Sequence, residues 1–261
     1  MEARPGLLTR FWTARYGGVL LREFLLLAVM LWLYRYVRFV VKDNTRGAFD
    51  NAREVMSFER TLGLDFEEGI QRAFLGHETL VRGINRYYMS VHFAGTVAFL
   101  IWAFVRSSAG YRNVRRILVL VTLGALVIHV AYPLAPPRMM PGFVDTMAVF
   151  GPNPYHSDAV KSFANQYAAM PSLHVGWALI VTYGVICISR SRLRWFVLAH
   201  PVVMTLVVIL TANHYWMDGA VAAVLVGGAI LLLGRLRAAP EEQSREPPLP
   251  VERTLAGIGT G

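Results

Sequence analysis

Charged residues are scarce in this chain of 261 residues. Asp, Glu, Lys and Arg make up 16% of it and apolar residues 55%, whereas ordinary soluble domains contain about 25% charged residues. So low a charged fraction excludes an ordinary soluble domain. The composition therefore predicts an integral membrane protein.

Cysteine is nearly absent, since Cys187 is the only one. An internal disulfide and a metal site built from several cysteines are thereby excluded. The sequence also lacks a Gly-x-Ser-x-Gly nucleophile turn, which disfavours a serine protease that uses Ser172. No nucleic-acid-binding motif accompanies the net charge of +9. The basic residues border apolar runs instead, as the topology-setting charges of membrane proteins do.

Six apolar segments are long enough to cross a bilayer, which takes about 20 residues of helix. The predicted spans are residues 19–41, 87–105, 117–134, 171–188, 195–212 and 214–233. No small-residue cleavage pattern follows the first, so we expect it to be retained. The sequence thus predicts an all-α polytopic membrane protein. It has a cytoplasmic N-terminal segment (residues 1–18), a six-span domain (residues 19–238) and a disordered, proline-rich cytoplasmic tail (residues 239–261).

Two short connectors set the predicted orientation, because they contain arginine and no acidic residue. These arginines are Arg106, Arg112, Arg115 and Arg116 in one connector and Arg190, Arg192 and Arg194 in the other. Short connectors rich in arginine face the cytoplasm. We therefore expect both termini in the cytoplasm, a location in the plasma membrane, and the beginnings of the fourth and sixth spans on the extracytoplasmic face.

The long connector between the first two spans, residues 42–86, mixes apolar and charged residues at helical spacing. Such a pattern is typical of amphipathic helices at a membrane surface. We expect two of them, separated at Gly63 and Asp65.

A short polar stretch opens the fourth predicted span. Pro171 suits the first turn of a helix, which places Ser172 and His174 in that turn. The free backbone amides and the positive end of the helix dipole there suit a phosphate or another anion. The alternative is structural: Ser172 only caps the helix and His174 is an interior histidine.

The predicted topology brings Arg138, Ser172 and His174 to the same membrane face as His214 and Asp218. His214 and Asp218 are four residues apart, which places them on one face of a helix. The carboxylate then fixes the tautomer of the imidazole and leaves the second ring nitrogen free to attack. An ionisable residue within a span, such as Asp218, is a functional candidate by default.

We therefore assign hypothetical roles in phosphoryl transfer. The catalytic residues are His214 as the nucleophile on phosphorus, Asp218 as the group that orients it, and His174 as the acid that protonates the departing oxygen. Arg138 and Ser172, with the amides of the fourth span, bind the phosphoryl oxygens of the substrate. This arrangement requires neither a metal nor a cofactor.

Other interpretations of the same histidines stay open. Two histidines and an aspartate suffice for zinc, although no second acidic cluster accompanies them. His92 and His129, inside the second and third spans, either line the cavity or hydrogen-bond a neighbouring helix.

These residues carry a family resemblance. Pro171-Ser172-x-His174 and His214-x-x-x-Asp218 resemble the second and third signature motifs of the type 2 phosphatidic acid phosphatase superfamily, six-span lipid phosphate phosphatases and phosphotransferases. The residues around them are more similar to the inositolphosphotransferase-like branch, which includes inositol phosphorylceramide synthases. The resemblance extends from about residue 51 through the sixth span, and it implies a covalent phosphohistidine on His214.

The chain also departs from the classical phosphatase motifs. Ala131 and Met139 stand where those motifs have lysine and proline around the first-motif arginine, and Val207-Val208 stand in place of Ser-Arg. Among the other basic residues, Lys161, Arg82 or Arg86 could replace the missing cations, or each is an ordinary loop charge.

The sequence therefore predicts a lipid phosphotransferase. Its partners are a membrane phospholipid or polyprenyl phosphate and a hydroxyl acceptor. The alternatives are a phosphatase of lipid phosphate or polyprenyl diphosphate and a non-catalytic lipid-binding or transport protein.

Overall fold

The computed structural model describes residues 7–152 and 166–243. Within these ranges the chain folds into α-helices without a β-strand. They are α1 (Leu7–Val41), α2 (Thr45–Thr61), α3 (Glu67–Phe74), α4 (Glu78–Arg86), α5 (His92–Arg106), α6 (Ser108–Ala131), α7 (Thr146–Phe150), α8 (Leu173–Ile188), α9 (Ala199–Leu210) and α10 (Trp216–Gln243). The predicted all-α fold is confirmed for these residues.

Five helical segments are long and apolar enough to cross a membrane. They are Leu21–Val41, Glu78–Arg106, Ser108–Ala131, Arg192–Leu210 and Trp216–Leu236. The chain is therefore a membrane protein. The remaining predicted span corresponds to α8, an apolar helix of 16 residues. The count of six spans stays a prediction, because α8 is shorter than the other candidates.

Helix α8 lies at the centre of the bundle and packs against α5, α6, α9 and α10. Every residue of α8 except Cys187 is buried or half-buried. Gly176 faces α10 and α6, where a Cβ would make ordinary contacts 3.8 Å from atoms of Ala222 and Val121. At about 24 Å long, from 1.5 Å of rise per residue, α8 is shorter than the bilayer core. A helix enclosed by other helices need not match that thickness.

Several boundaries differ from the predicted spans. The third predicted span begins earlier, because α6 begins at Ser108. The second predicted span begins earlier, because α4 continues through a π-helical turn, Tyr87–Val91, into α5. The fifth begins as a 3₁₀-helix, Arg192–Leu198, before α9. Helix α10 extends to Gln243, so the first residues of the predicted disordered tail are helical. The rest of that tail lies outside the described residues.

The connector between α1 and α5 forms the two predicted helices, α2 and α3, and a third helix, α4, which continues into the second candidate span. The predicted break at Gly63 is confirmed, and this residue has a left-handed φ of +69° that suits glycine. The apolar face of α2, with Ala48, Ala52 and Val55, packs on Leu134 and the loop before α8. α3 packs against α9, and α4 packs against α7. The three helices thus cover one end of the bundle.

Helix α1 is the most peripheral of the candidate spans, with 11% of its most apolar window buried. Val37 and Val41 of α1 contact Leu126 of α6. Glu23 of α1 also forms an ion pair with Arg115 of α6. From residue 21 onward, the remaining surface of α1 is largely exposed and apolar, as expected for a helix that faces lipid.

Candidate active site

Ser172 caps the N-terminus of α8. Its hydroxyl accepts a hydrogen bond from the Val175 amide at 3.4 Å, and the helix begins at Leu173. Pro171 therefore precedes the cap and does not occupy the first helical position, which corrects the predicted helix start. Since amides of a first turn have no intrahelical partner, those of Leu173 and His174 remain available for an anion.

His214 and Asp218 are brought together, but not on one face of a helix as predicted. α10 begins at Trp216, so His214 precedes it and Asp218 lies in its first turn. Asp218 Oδ2 accepts a hydrogen bond from the Tyr215 amide at 2.9 Å and lies 3.2 Å from His214 Nδ1. The carboxylate caps the helix that carries it, and this geometry, rather than helical spacing, places it against the imidazole.

Two acceptors fix the tautomer of His214. Nδ1 lies 2.7 Å from the carbonyl oxygen of Ala169 in addition to its contact with Asp218. A carbonyl can only accept, so Nδ1 carries the proton and donates it. The lone pair of His214 is therefore on Nε2, the nitrogen that a nucleophilic role requires. The sequence analysis did not predict the contact between the Ala169 carbonyl and His214. Every residue type has a backbone carbonyl, so the identity of residue 169 does not indicate this contact.

The segment that carries His214 is held by a tight turn between α9 and α10. Ala212 adopts a left-handed φ of +50°, which is uncommon outside glycine, asparagine and aspartate. The amides of Asn213 and His214 both donate to the carbonyl of Val208, at 3.0 and 3.3 Å. Such strain in a buried turn persists only when the surroundings determine it.

Arg138 reaches this turn from the loop after α6. It lies in a 3₁₀ turn, Pro137–Met139, and its backbone amide donates to the carbonyl of Ala212 at 2.8 Å. Its guanidinium donates to Asn213 Oδ1 at 2.7 Å and lies 3.5 Å from a carboxylate oxygen of Asp145. The Arg138 side chain is 6% exposed. A buried positive charge is thus placed beside the residue that precedes His214.

His174 lies next to His214, with 5.9 Å between the centres of the two imidazole rings. Tyr88 stacks on His174 at 4.1 Å between ring centres. Tyr88 lies in the π-helical turn Tyr87–Val91, and such turns are frequent at functional sites. His174 Nε2 is buried and has no hydrogen-bond partner among the described residues. It is therefore available to a bound group.

The other predicted residues lie differently. His92 is 5.2 Å from His174 between ring centres and lines the same cluster, whereas His129 is buried near Pro171. Arg82 pairs with Glu78 on the exposed surface, and Arg86 is also exposed. Lys161 lies outside the described residues. Of these alternative cations, none of the described ones is near His214.

Two buried acids that the sequence analysis did not single out hold the start of α10. Glu59 of α2 accepts the amide of Met217 at 2.8 Å, and Glu67 of α3 accepts that of Trp216 at 3.3 Å. They are 1% and 4% exposed. Burial raises the pKa of Glu59 to about 9, and it also raises the pKa of Glu67. The sequence did indicate that Glu59 is buried, because this residue lies on the same face of α2 as the apolar residues Ala52 and Val55.

Glu59 and Glu67 also influence each other's pKa. Because burial raises the pKa of Glu59 to about 9, this carboxyl group keeps its proton at neutral pH and can donate it to Glu67. The negative charge of Asp218 nearby further raises the pKa of both. The N-terminus of α10 is therefore occupied by the protein's own carboxyl groups. A phosphate can bind instead at the N-terminus of α8.

Among the described residues, no group of three or more His, Cys, Asp or Glu side chains could hold a metal ion. The zinc alternative thus has no support from these positions. The arrangement at hand is an imidazole of fixed tautomer, a second imidazole, a buried guanidinium and a helix N-terminus. These are the parts that nucleophilic attack on a phosphoryl group uses.

Comparison with family models gives a match to the PAP2 superfamily over residues 53–232. The match begins in α2, ends in α10 and includes Arg138, Ser172, His174, His214 and Asp218. It agrees with the resemblance at the level of the superfamily. Comparisons with curated proteins and with solved structures give no match. This helical membrane protein therefore belongs to the PAP2 superfamily, whose members are usually enzymes that act on phosphate esters.

Proposed function

We propose that the protein is a membrane lipid phosphotransferase of the inositolphosphotransferase type. His214 would form a covalent phosphohistidine, with Asp218 and the Ala169 carbonyl holding its ring and His174 as the acid. The observation that carries the proposal is the pair of acceptors on His214 Nδ1. It leaves the lone pair on Nε2, beside a second histidine.

The reaction takes place in two balanced steps. His214 Nε2 attacks the phosphorus of a lipid donor, a P–N bond forms, and the P–O bond to the leaving alcohol breaks as protonated His174 gives that oxygen its proton. A hydroxyl acceptor then attacks the phosphorus and returns a proton to His174 as the P–N bond breaks. Arg138 and the amides at the start of α8 bind the phosphoryl oxygens, whose charge grows in both transition states.

Burial favours an alcohol acceptor over water. His214 is 6% exposed, and Ser172 and Asp218 are fully buried. A site that excludes water protects a reactive intermediate from hydrolysis. Val207 and Val208 stand where the phosphatase motif has Ser-Arg, and this departure from the phosphatase motif also favours an alcohol acceptor. The alternative product, free phosphate from a lipid phosphate or polyprenyl diphosphate, differs only in the acceptor.

We place this reaction on the extracytoplasmic face of the plasma membrane, with both termini in the cytoplasm. The support is the arginine content at two junctions between helices. At the junction of α5 and α6 these residues are Arg106, Arg112, Arg115 and Arg116, and between α8 and α9 they are Arg190, Arg192 and Arg194.

The test uses purified protein in proteoliposomes with phospholipids labelled on the head-group phosphorus and with candidate hydroxyl acceptors. We expect label in a new lipid, and label on the protein that is stable in alkali and released by acid. His214→Ala should abolish both signals. His174→Ala and Asp218→Asn should lower turnover by about 10²-fold or more, because the acid or the ring orientation is lost.

His77→Ala is the matched control, since this histidine is exposed at the start of α4. It should retain wild-type turnover. Full activity of His214→Ala would overturn the nucleophile assignment. Free phosphate as the only product would replace the transferase by a phosphatase, and no turnover of any phosphorylated lipid would favour a binding protein. Strong chelation should leave turnover unchanged, whereas loss that added zinc restores would support the zinc alternative.

A further inference from the structure

We infer that Glu59 and Glu67 are positioning residues that hold His214 and Asp218 in place by capping the backbone amides of the first turn of α10. This inference rests on the proposed function. It concerns two helices, α2 and α3, whose acids take no part in the bond changes proposed above. They act through the backbone of the segment that carries the nucleophile.

Three carboxyl groups cap three successive amides at the start of α10. Asp218 accepts the amide of Tyr215, Glu67 that of Trp216 and Glu59 that of Met217. The last two bonds come from other helices, so the turn cannot shift without breaking contacts to α2 and α3. Asp218 follows Met217 directly, and His214 precedes Tyr215. The capped amides therefore lie between the two residues whose separation decides the orientation of the imidazole.

A proton on Glu59 keeps this cluster of carboxyl groups together. Glu59, Glu67 and Asp218 lie close enough to repel one another when ionised, and Tyr215 is the other titratable group that faces them. His214 contacts only Asp218 of the three acids. With a proton on Glu59, its hydroxyl donates to Glu67 while its second oxygen accepts the Met217 amide. Without that proton, two buried carboxylates face each other with no donor between them.

The sign of the pH effect follows from the raised pKa values. A carboxyl group whose pKa is raised to about 9 by burial holds its proton at neutral pH and loses it as the pH rises through about 9. The positioning is therefore present at neutral pH and lost on the alkaline side.

The test compares two substitutions at one position. Glu59→Gln keeps an acceptor for Met217 and a donor for Glu67 but cannot ionise, whereas Glu59→Ala removes both contacts. We expect wild-type kcat to fall as the pH rises through about 9, and Glu59→Gln to retain the neutral-pH kcat without that fall. Glu59→Ala should lower kcat by about 10²-fold with little change in KM, because misplacement of a reacting group costs that much.

Glu54→Gln on α2 and Glu68→Gln on α3 are the matched controls, since both acids lie nearer the surface of the same helices. They should retain the wild-type kcat and its alkaline fall. A pH profile of Glu59→Gln that superimposes on that of the wild type would overturn the inference, as would wild-type kcat in Glu59→Ala.

A readout independent of turnover separates this inference from the proposed function. Hydrogen exchange of the Trp216 and Met217 amides, expressed as protection factors, should fall in Glu59→Ala and persist in Glu59→Gln and Glu54→Gln. If the wild type turned over no lipid but showed this pattern, the capping role would stand and the proposed function would fail. If His214→Ala were inactive while Glu59→Ala kept both protection and kcat, the function would stand and the positioning role would fail.

Discussion

At the scale of single residues, backbone atoms position the His214 ring as much as side chains do. The sequence predicted that His214 and Asp218 form a pair, and they do lie in contact. The carbonyl of Ala169 makes the shorter contact with the same nitrogen. It comes from the loop before α8, so the imidazole is held between two segments that are distant in sequence. A substitution of Asp218 therefore leaves the contact with the Ala169 carbonyl intact.

Arg138 supplies the first prediction at this scale. Its guanidinium contacts Asn213 and Asp145 at once, through different nitrogens. Lysine cannot reproduce this planar fork. We expect Arg138→Lys to lower kcat/KM by about 10²-fold, as loss of one preorganised phosphoryl donor does, and steady-state kinetics measures it. Arg86→Lys, at an exposed position, should match the wild type. Equal kinetics of the Arg138 and Arg86 variants would remove Arg138 from the phosphate site.

At the scale of helices, α8 depends on small residues where its neighbours come closest. A Cβ on Gly184 would lie 2.4 Å from Phe99 of α5 and 2.9 Å from Val114 of α6. These are core side chains with little room to move. Close packing through small residues is the usual way in which helices associate in membranes.

Gly184→Ala is therefore expected to destabilise the bundle by about 1–3 kcal/mol, the usual cost of overpacking. Gly227→Ala on α10 is the control, because nothing lies within 4 Å of a Cβ at that position. It should be neutral or slightly stabilising, since alanine is the better helix former. The thermal unfolding midpoint in detergent measures both. A midpoint of Gly184→Ala equal to that of Gly227→Ala would contradict this account.

The helices show which features a sequence can predict. Long apolar runs such as α6 are predictable, because a bilayer requires about 20 apolar residues whatever the neighbours are. The start of α4 is not, since its charged first turn resembles a surface segment. The burial of Glu59 and Glu67 depends on the amides of α10, which are distant in the chain. Their role therefore becomes visible only when the tertiary contacts are known.

The same limit applies to the start of α8. Pro171 and Ser172 predict a helix start within two residues, and the helix does begin at Leu173. Which of them serves as the cap depends on the local backbone, which residue types alone do not determine.

At the scale of the whole molecule, the superfamily match and the site coincide. The match covers residues 53–232 and so begins after α1. That helix contacts the bundle mainly through α6, and its residues from 21 onward are largely exposed. Every predicted site residue lies in the part of the chain that the match includes. The proposed chemistry therefore uses the helices from α2 onward.

The proposed orientation gives a prediction at this scale. In a Cys187→Ser background, Ser57→Cys on α2 and Ser191→Cys between α8 and α9 are both exposed. A membrane-impermeant maleimide should label Ser57→Cys in intact cells and Ser191→Cys only after permeabilisation, because arginine-rich connectors stay in the cytoplasm. The reverse pattern would place the site on the cytoplasmic face.

The caps on α10 also set the order in which this protein is assembled. Glu59 lies 158 residues before Met217, and Glu67 lies 149 residues before Trp216. During synthesis, α2 and α3 therefore exist long before the amides that they bind. The earlier helices can insert and pack, but His214 acquires its position only when α10 docks. The site is therefore assembled only after every described helix has been synthesised.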